Sequence, residues 1–376
     1  MSTIKNFFAG KYYSIYRISL GMISIVVLYL FFIRCADDII DPMETELEFL
    51  GFAENFALRM TILDPYLFVC AGSDGIWRKN IRILSDWEYL GLKDSSLGKY
   101  TNVGALDIDV SNNEILVAYN GGNPNVLPAN IVSIWRSTDD GANWQRADTG
   151  IPETINDSLE YNILTSLQRS PHNSEIIISW IDPTSYRSTD GGNTWSILFG
   201  QRGFIPGNGL IRWHPLRSGE VWFIGQSALF APYCFAKSDY GTTPKVGIDF
   251  NSLGFPSDAN VYDITFGVTD PDIVHITTSE GIISSDDGGY TWRKNVIKLP
   301  DNEFSFRMVA HPKIEGLLYL GGGKHIYKVT GGGAKVELIE KIEKGFITSL
   351  IYDSQGDQLF IGTTEGGIYV LRSVNK

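Results

Sequence analysis

One layout recurs along this chain and sets what it can fold into. An apolar strand-like run leads through a polar turn to a second apolar run, which continues into a hairpin. "YLFVCAGSDGIWR" (66–78), "EILVAY" with "IVSIWRS" (114–137) and "EIIISWIDPTSYRS" (175–188) share it. So do "EVWFIGQSALFAPYCFAKS" (220–238), "DIVHITTSEGIISS" (272–285), "LLYLGGGKHIYKV" (317–329) and "QLFIGTTEGGIYVLRS" (358–373). The seven copies recur every 41 to 61 residues, preceded by segments such as "RMTILDP", "SLQRSP", "IRWHP", "GVTDP" and "MVAHP". Beyond the N-terminus, short alternating runs replace any long 3.6-residue periodicity, and 39 glycines with 15 prolines supply the turns. Such a pattern reads as β throughout.

Four strands in a unit of about 40–50 residues is the signature of a propeller blade. The expected fold is therefore all-β: a seven-bladed β-propeller of four-stranded antiparallel blades, with strands A to D running from the axis outwards. Residues 46–376 form that single domain. The seventh copy has only three strands, and "LEFLGF" (47–52) matches "WEYLGL" (87–92), the outer strand of blade one. Residues 46–52 are thus expected to complete blade seven and close the ring, which removes free sheet edges at the joint.

The first 34 residues differ in kind. They carry Lys5, Lys11, Arg17 and Arg34 without any acid, around the apolar run Ile18 to Ile33. Sixteen residues suit a signal-peptide core better than a full span, which needs about 20. "FIRC" resembles the bacterial lipobox, which implies lipidation of Cys35, although Arg34 stands where that pattern has a small residue. An uncleaved anchor helix is the alternative. Either reading tethers the chain to a membrane outside the cytoplasm, through 1–34 and an acidic tether, 35–45. From Cys35 onward 27 basic residues face 43 acidic ones, a net charge of −16. That surface repels nucleic acid, which is excluded as a partner. Cys70 and Cys234 lie in apolar strand patterns and are expected to be buried, free thiols.

"STDGGNTW" (188–195) fits the pattern S-x-D-x-G-x-T-W and resembles the Asp-box, or BNR repeat. That box is found in sialidases, sortilin-type receptors, photosystem assembly factors and some xyloglucanases. Ser188, Asp190, Gly192, Thr194 and Trp195 match it fully, as do Ser285, Asp287, Gly289, Thr291 and Trp292. A third copy has Ser137, Asp139, Gly141 and Trp144, with Asn143 in the Thr position, and "KSDYGTTP" is degenerate. The box is expected in the C–D turn and to be structural: Ser and Asp oxygens accept loop N–H groups, Gly takes positive φ, and Trp wedges between sheets. A calcium loop would need an acid at the first position and a closing Glu, and has neither.

The sialidase resemblance implies inner-strand arginines and an Arg-Ile-Pro motif. Arg59, Arg169, Arg212 and Arg307 exist, but they lie six, two, three and five residues before the turn proline, and no Arg-Ile-Pro occurs. A xyloglucanase-like enzyme needs two acids across a cleft between tandem propellers. Asp107 and Asp109 alternate along an inner strand and read as a channel-lining pair. His172, His214 and His311 fall in A–B turns without a metal-ligand spacing. No catalytic residues, metal or cofactor are expected.

The long connections are D–A and B–C loops, which share one face. They carry Tyr100, Asn123, Tyr161, Arg202, Phe204, Phe230 and Tyr233, with Asp182 in a shorter loop alongside. Long loops on a rigid scaffold are where binding usually resides. Aromatic, amide and charged groups suit a protein partner or a glycan. The expectation is a monomeric, non-enzymatic binding or assembly module, with a glycan-binding or glycoside-hydrolase-like lipoprotein as the alternative.

Overall fold

The computed structural model describes residues 44–52, 55–93, 105–111, 114–121, 131–152, 164–181, 184–200, 206–227, 232–294, 306–365 and 367–374. They form seven four-stranded sheets, with Leu47–Arg372 as a compact unit. Six sheets take four consecutive strands each. In the seventh, the N-terminal strand Glu44–Gly51 lies beside Ile368–Val374, outside the inner strand Ile347–Asp353 and its neighbour Gln358–Thr363. The ring is closed by joining the two ends of the fold, as the match of 47–52 to 87–92 implies.

The inner strands of blades one to seven are Arg59–Leu63, Ala105–Ser111, Leu164–Ser170, Pro206–Trp213, Val261–Phe266, Arg307–Ala310 and Ile347–Asp353. Each neighbours the next, and the seventh neighbours the first, around a central channel. Second strands are covered on both faces by adjacent blades. Val274–Thr278 and Leu318–Gly322 are accordingly buried at every position. The outer strand Lys335–Lys341 is mostly exposed and carries lysines and glutamates.

Clusters of buried residues fill the gaps between blades. Trp180 of blade three lies against Phe223 and Tyr233 of blade four and is 1% exposed. Gly209 makes room for it, since a Cβ there would sit 2.8 Å from the indole. Other tryptophans tie a blade to its predecessor. The indole N–H groups of Trp87, Trp144 and Trp195 donate to the outer-strand carbonyls of Leu50 (3.1 Å), Leu90 (2.8 Å) and Ala147 (2.7 Å). Cys70 and Cys234 are buried free thiols in different blades.

Candidate functional site

The C–D turns of blades two, three and five share one bonding scheme. Ser188 donates its hydroxyl to Asp190 (2.7 Å) and accepts the Gly192 N–H (2.7 Å). Asp190 in turn accepts the N–H (2.9 Å) and hydroxyl (2.6 Å) of Thr194. Ser285, Asp287, Gly289 and Thr291 repeat the pattern. Around Asp139, the Asn143 side-chain amide donates at 2.7 Å where the others use a Thr hydroxyl. Gly192 sits at φ +89°, a region that favours glycine. Burial pushes the Asp190 carboxyl up, but its hydrogen bonds outweigh this and hold it at about 2. Donors from Thr291 and Ser285 likewise bring Asp287 to about 2. These groups satisfy one another and hold turns. In "KSDYGTTP", Lys237 replaces the Ser, and Asp239–Gly241 becomes a short 3-10 turn instead.

The histidines of the A–B turns are structural as well. His214 Nδ1 accepts the N–H groups of Leu216 and Arg217, both at 3.1 Å, and burial lowers its imidazole to about 4. His311 Nδ1 accepts the Lys313 N–H.

Of the loop residues singled out above, Tyr100, Asn123, Tyr161, Asp182, Arg202, Phe204 and Phe230 lie outside the described residues, as does Cys35. Tyr233 is described. It sits in the strand Pro232–Ser238, paired with Gly225, and its ring stacks on Trp180 with centroids 5.8 Å apart. Tyr233 therefore packs in the strand, against the preceding blade.

Asp107 and Asp109 line the channel, as their alternation implies; what sequence reasoning missed is the arginines that join them there. Arg59, Arg169, Arg212 and Arg307, which fall at different distances from the turn proline, all line one cavity of about 240 Å³ together with Asp107, Asp109 and Asp263. The turns vary in length, so counting back from the proline misaligns the inner strands. Hydrogen bonds between blades give the true register: the Leu167 N–H donates to Asp107 (2.9 Å), Ile211 to the Ser166 hydroxyl (3.3 Å) and Met308 to Asp263 (3.2 Å). Asp107, Ser166 and Leu210 are therefore level with one another, as are Asp263 and Arg307, close to where the inner strands begin and hence towards the D–A loops.

Two kinds of arginine line this cavity. Arg169 is fully engaged, donating to Asp109 (2.6 Å), Glu114 (2.6 Å) and the Ser174 carbonyl (2.7 Å), while Arg136 also pairs with Glu114 at 2.9 Å. Burial raises the Asp109 carboxyl, and Arg169 opposes the rise. Arg59, Arg212 and Arg307 are poorly compensated. Arg59 makes one long hydrogen bond, to the Leu58 carbonyl at 3.4 Å, and its buried Nε–H has no partner among the described residues. Arg212 donates to the Ile211 carbonyl (3.1 Å) and Asp263 (3.3 Å). Arg307 donates to the carbonyls of Thr348 (2.9 Å) and Tyr262 (3.3 Å). Burial pulls the Arg307 guanidinium down to about 9, with Arg59 and Arg212 adding to the effect and Asp263 and Asp107 opposing it. It stays charged at neutral pH.

Comparison with known proteins places the architecture. No family model matches the chain, and no curated protein sequence matches it. Solved structures do. The likeness is one of fold. The GH74 xyloglucanase from Xanthomonas campestris superposes with a TM-score of 0.63 at 13% identity, over 87% of this chain and 53% of that one. This chain thus spans about half the length of that enzyme. YCF48 from Cyanidioschyzon merolae gives 0.61 at 11% identity, covering 88% of this chain and all of that one (100%). The WD40 propeller domain of Doa1 gives 0.59 at 10% identity, over 88% and 98% of the two chains.

Proposed function

We propose that this protein is a non-enzymatic binding or assembly module, tethered to a membrane outside the cytoplasm, which holds a protein partner on its D–A/B–C face. The contrast between the two faces carries this reading. On the A–B/C–D face, the hydroxyls and carboxylates of the repeated turns are bonded to their own loops. On the opposite face, long connections bearing aromatic, amide and charged groups leave a rigid closed ring. The repeated turns, whose sequence resembles the Asp-box, are bonded within themselves, which supports a scaffolding role for them. The basic, apolar N-terminus followed by Cys35 supplies the tether.

Cross-linking the full-length protein in its native membranes, followed by purification, tests the proposal. A stoichiometric protein partner supports it; clean recovery of the protein alone counts against it. Phe204→Ala with Phe230→Ala should abolish the complex without lowering Tm. Tyr233 is unsuitable for this purpose because it packs on Trp180. Mass spectrometry of the mature N-terminus decides between a lipidated Cys35 and an uncleaved anchor.

The likeness to a xyloglucanase favours a second reading, a glycan-binding surface on the same face. It requires that a neutral oligosaccharide raise Tm and that Asp182→Ala remove the effect. No shift with any sugar tested would sink it.

A further inference from the structure

We propose that the A–B/C–D face of the propeller rests on the surface of a lipid bilayer, with the apolar tips Ile83–Leu84, Leu216 and Ile314 seated at the boundary between headgroups and acyl chains. The inference rests on the tether reading given above and deepens it, since it assigns the face of the ring that lies against the membrane. The loop face then points away from the bilayer, towards the partner.

The first observation is where the chain enters the ring. Glu48 of the outer strand Glu44–Gly51 meets Arg372, near the end of its neighbour Ile368–Val374, while Gly51 approaches Gly367 just before that neighbour begins. The outer strand therefore runs from the A–B/C–D face towards the D–A loops, and Leu47 joins the fold on the former. From Cys35 to Leu47 the chain spans at most about 40 Å, so this face is the one held next to a membrane that the N-terminus occupies. A contact too weak to hold a free protein is sufficient there, because the tether makes it intramolecular.

The second observation is the tips themselves. In the C–D turn of blade one, Leu84 is fully exposed and Ile83 is 65% exposed, and both border a cavity shared with Glu48 and Leu50 of the entering strand. Leu216 and Ile314 are exposed in the A–B turns of blades four and six. A single exposed aliphatic side chain is ordinary. Here each stands on a turn pinned at its base. The Arg82 N–H donates to Asn80 Oδ1 (2.9 Å) and the Ser85 hydroxyl to the Asn80 carbonyl (3.1 Å). His214 and His311 accept the N–H groups of Leu216 and Lys313. The turns hold these side chains outwards.

The third observation is arrangement. Blades one, four and six lie in three directions around the ring, so their tips define a plane and not a groove. A flat surface meets all three at once, whereas a peptide meets one. A second copy of this chain would set two acidic surfaces against each other, each with a net charge of −16 from Cys35 onward. The same charge gives no attraction to anionic headgroups, so the matching lipid is zwitterionic and the contact apolar.

The test uses the full-length protein in phosphatidylcholine vesicles, with phosphatidylcholine carrying a nitroxide on its acyl chain as the quencher. Leu84→Cys, Leu216→Cys and Ile314→Cys each receive a fluorophore, and Phe346→Cys, exposed in a D–A loop, is the control. Cys70 and Cys234 are buried, and the unsubstituted protein gives the background from Cys35. Fluorescence at the three tips should fall about twofold with the nitroxide lipid and stay unchanged at the control. Ile83→Ser combined with Leu84→Ser should leave Tm in detergent unchanged, because neither side chain is buried, and should remove about half of the quenching at the other two tips. Flotation with the vesicles reports the tether separately. A protein that floats while all four positions respond alike, or none responds, overturns the inference and leaves the tether standing. Failure to float removes both. Unchanged quenching in the serine variant overturns the inference, as does a signal that depends on the protein-to-lipid ratio and needs no nitroxide, which would assign the face to a second copy.

Discussion

Replacing Asp353 by Asn probes how the ring is locked. Asp353 ends the inner strand of blade seven, and Arg82 lies in the C–D turn of blade one. The guanidinium grips both Asp353 oxygens, with Nη2–Oδ1 at 2.7 Å, and reaches Asp64 at 2.6 Å. Gln358 Nε2 (3.0 Å) and the Gln355 N–H (3.1 Å) also donate to Asp353. Burial pushes this carboxyl up, but Arg82 and then Gln358 outweigh it and bring it from 3.8 to about 2. At 1.36 kcal/mol per pH unit, a displacement of nearly two units corresponds to about 2.4 kcal/mol. The Arg82 side chain is 24% exposed against 2% for Asp353, so solvent screens the pair; about 1–1.5 kcal/mol is the expected cost at pH 7.

An unfolding entropy of about 2.1 cal/mol/K per residue over roughly 330 residues turns that cost into a Tm loss of about 2 °C. A carboxyl held below its unfolded value stabilises the fold above about pH 4, and this contribution disappears as pH falls towards 2. Calorimetry across that range should therefore show the gap between Asp353→Asn and the unsubstituted protein shrink on acidification. Arg82→Gln should cost a similar amount, and the double variant little more than either single one. Additive losses, or an unchanged Tm at pH 7, would refute the idea that this pair clasps blades one and seven.

Trp195→Ala should lower stability by about 3–5 kcal/mol, read from the urea midpoint, because it empties a buried inter-blade position; Trp195→Phe, which loses chiefly the bond to Ala147, should cost about 1 kcal/mol. Gly192→Ala places a Cβ 3.0 Å from Arg136 Nη2 at φ +89° and should cost about 1–3 kcal/mol. Gly254→Ala, at φ +71° with open space around it, should cost less, and equal losses in urea titration would show that neighbouring atoms do not matter. Burial raises the thiols of Cys70 and Cys234, so a thiol reagent at pH 8 should label them only as fast as the protein unfolds; rapid labelling of the native state would contradict their placement.

Much of the fold is legible in the sequence because its signals are local. Strand B of a blade is buried on both faces and reads as an apolar run, and the Ser-x-Asp-x-Gly turn is bonded within itself, so each is recognisable from a few contiguous residues. Closure by the N-terminal strand is legible for the same reason, since "LEFLGF" and "WEYLGL" fill equivalent outer-strand positions. Tyr233 shows the limit. The long run "GQSALFAPY" between two strand patterns reads as a loop, whereas Tyr233 pairs with Gly225 in a strand and stacks on Trp180 of the preceding blade.

The channel shows a deeper limit. Repeat spacing by itself determined the number of blades, the order of strands and the location of the self-bonded turns. It could not bring Arg59, Arg212 and Arg307 together, because they come from blades one, four and six and stand at unequal distances from the turns that mark the repeat. Their convergence was decided by the tertiary structure alone. The register between inner strands is set by bonds from one blade to the next, such as Leu167 to Asp107 and Met308 to Asp263. Closing the ring then brings side chains of all seven inner strands to a single charged cavity.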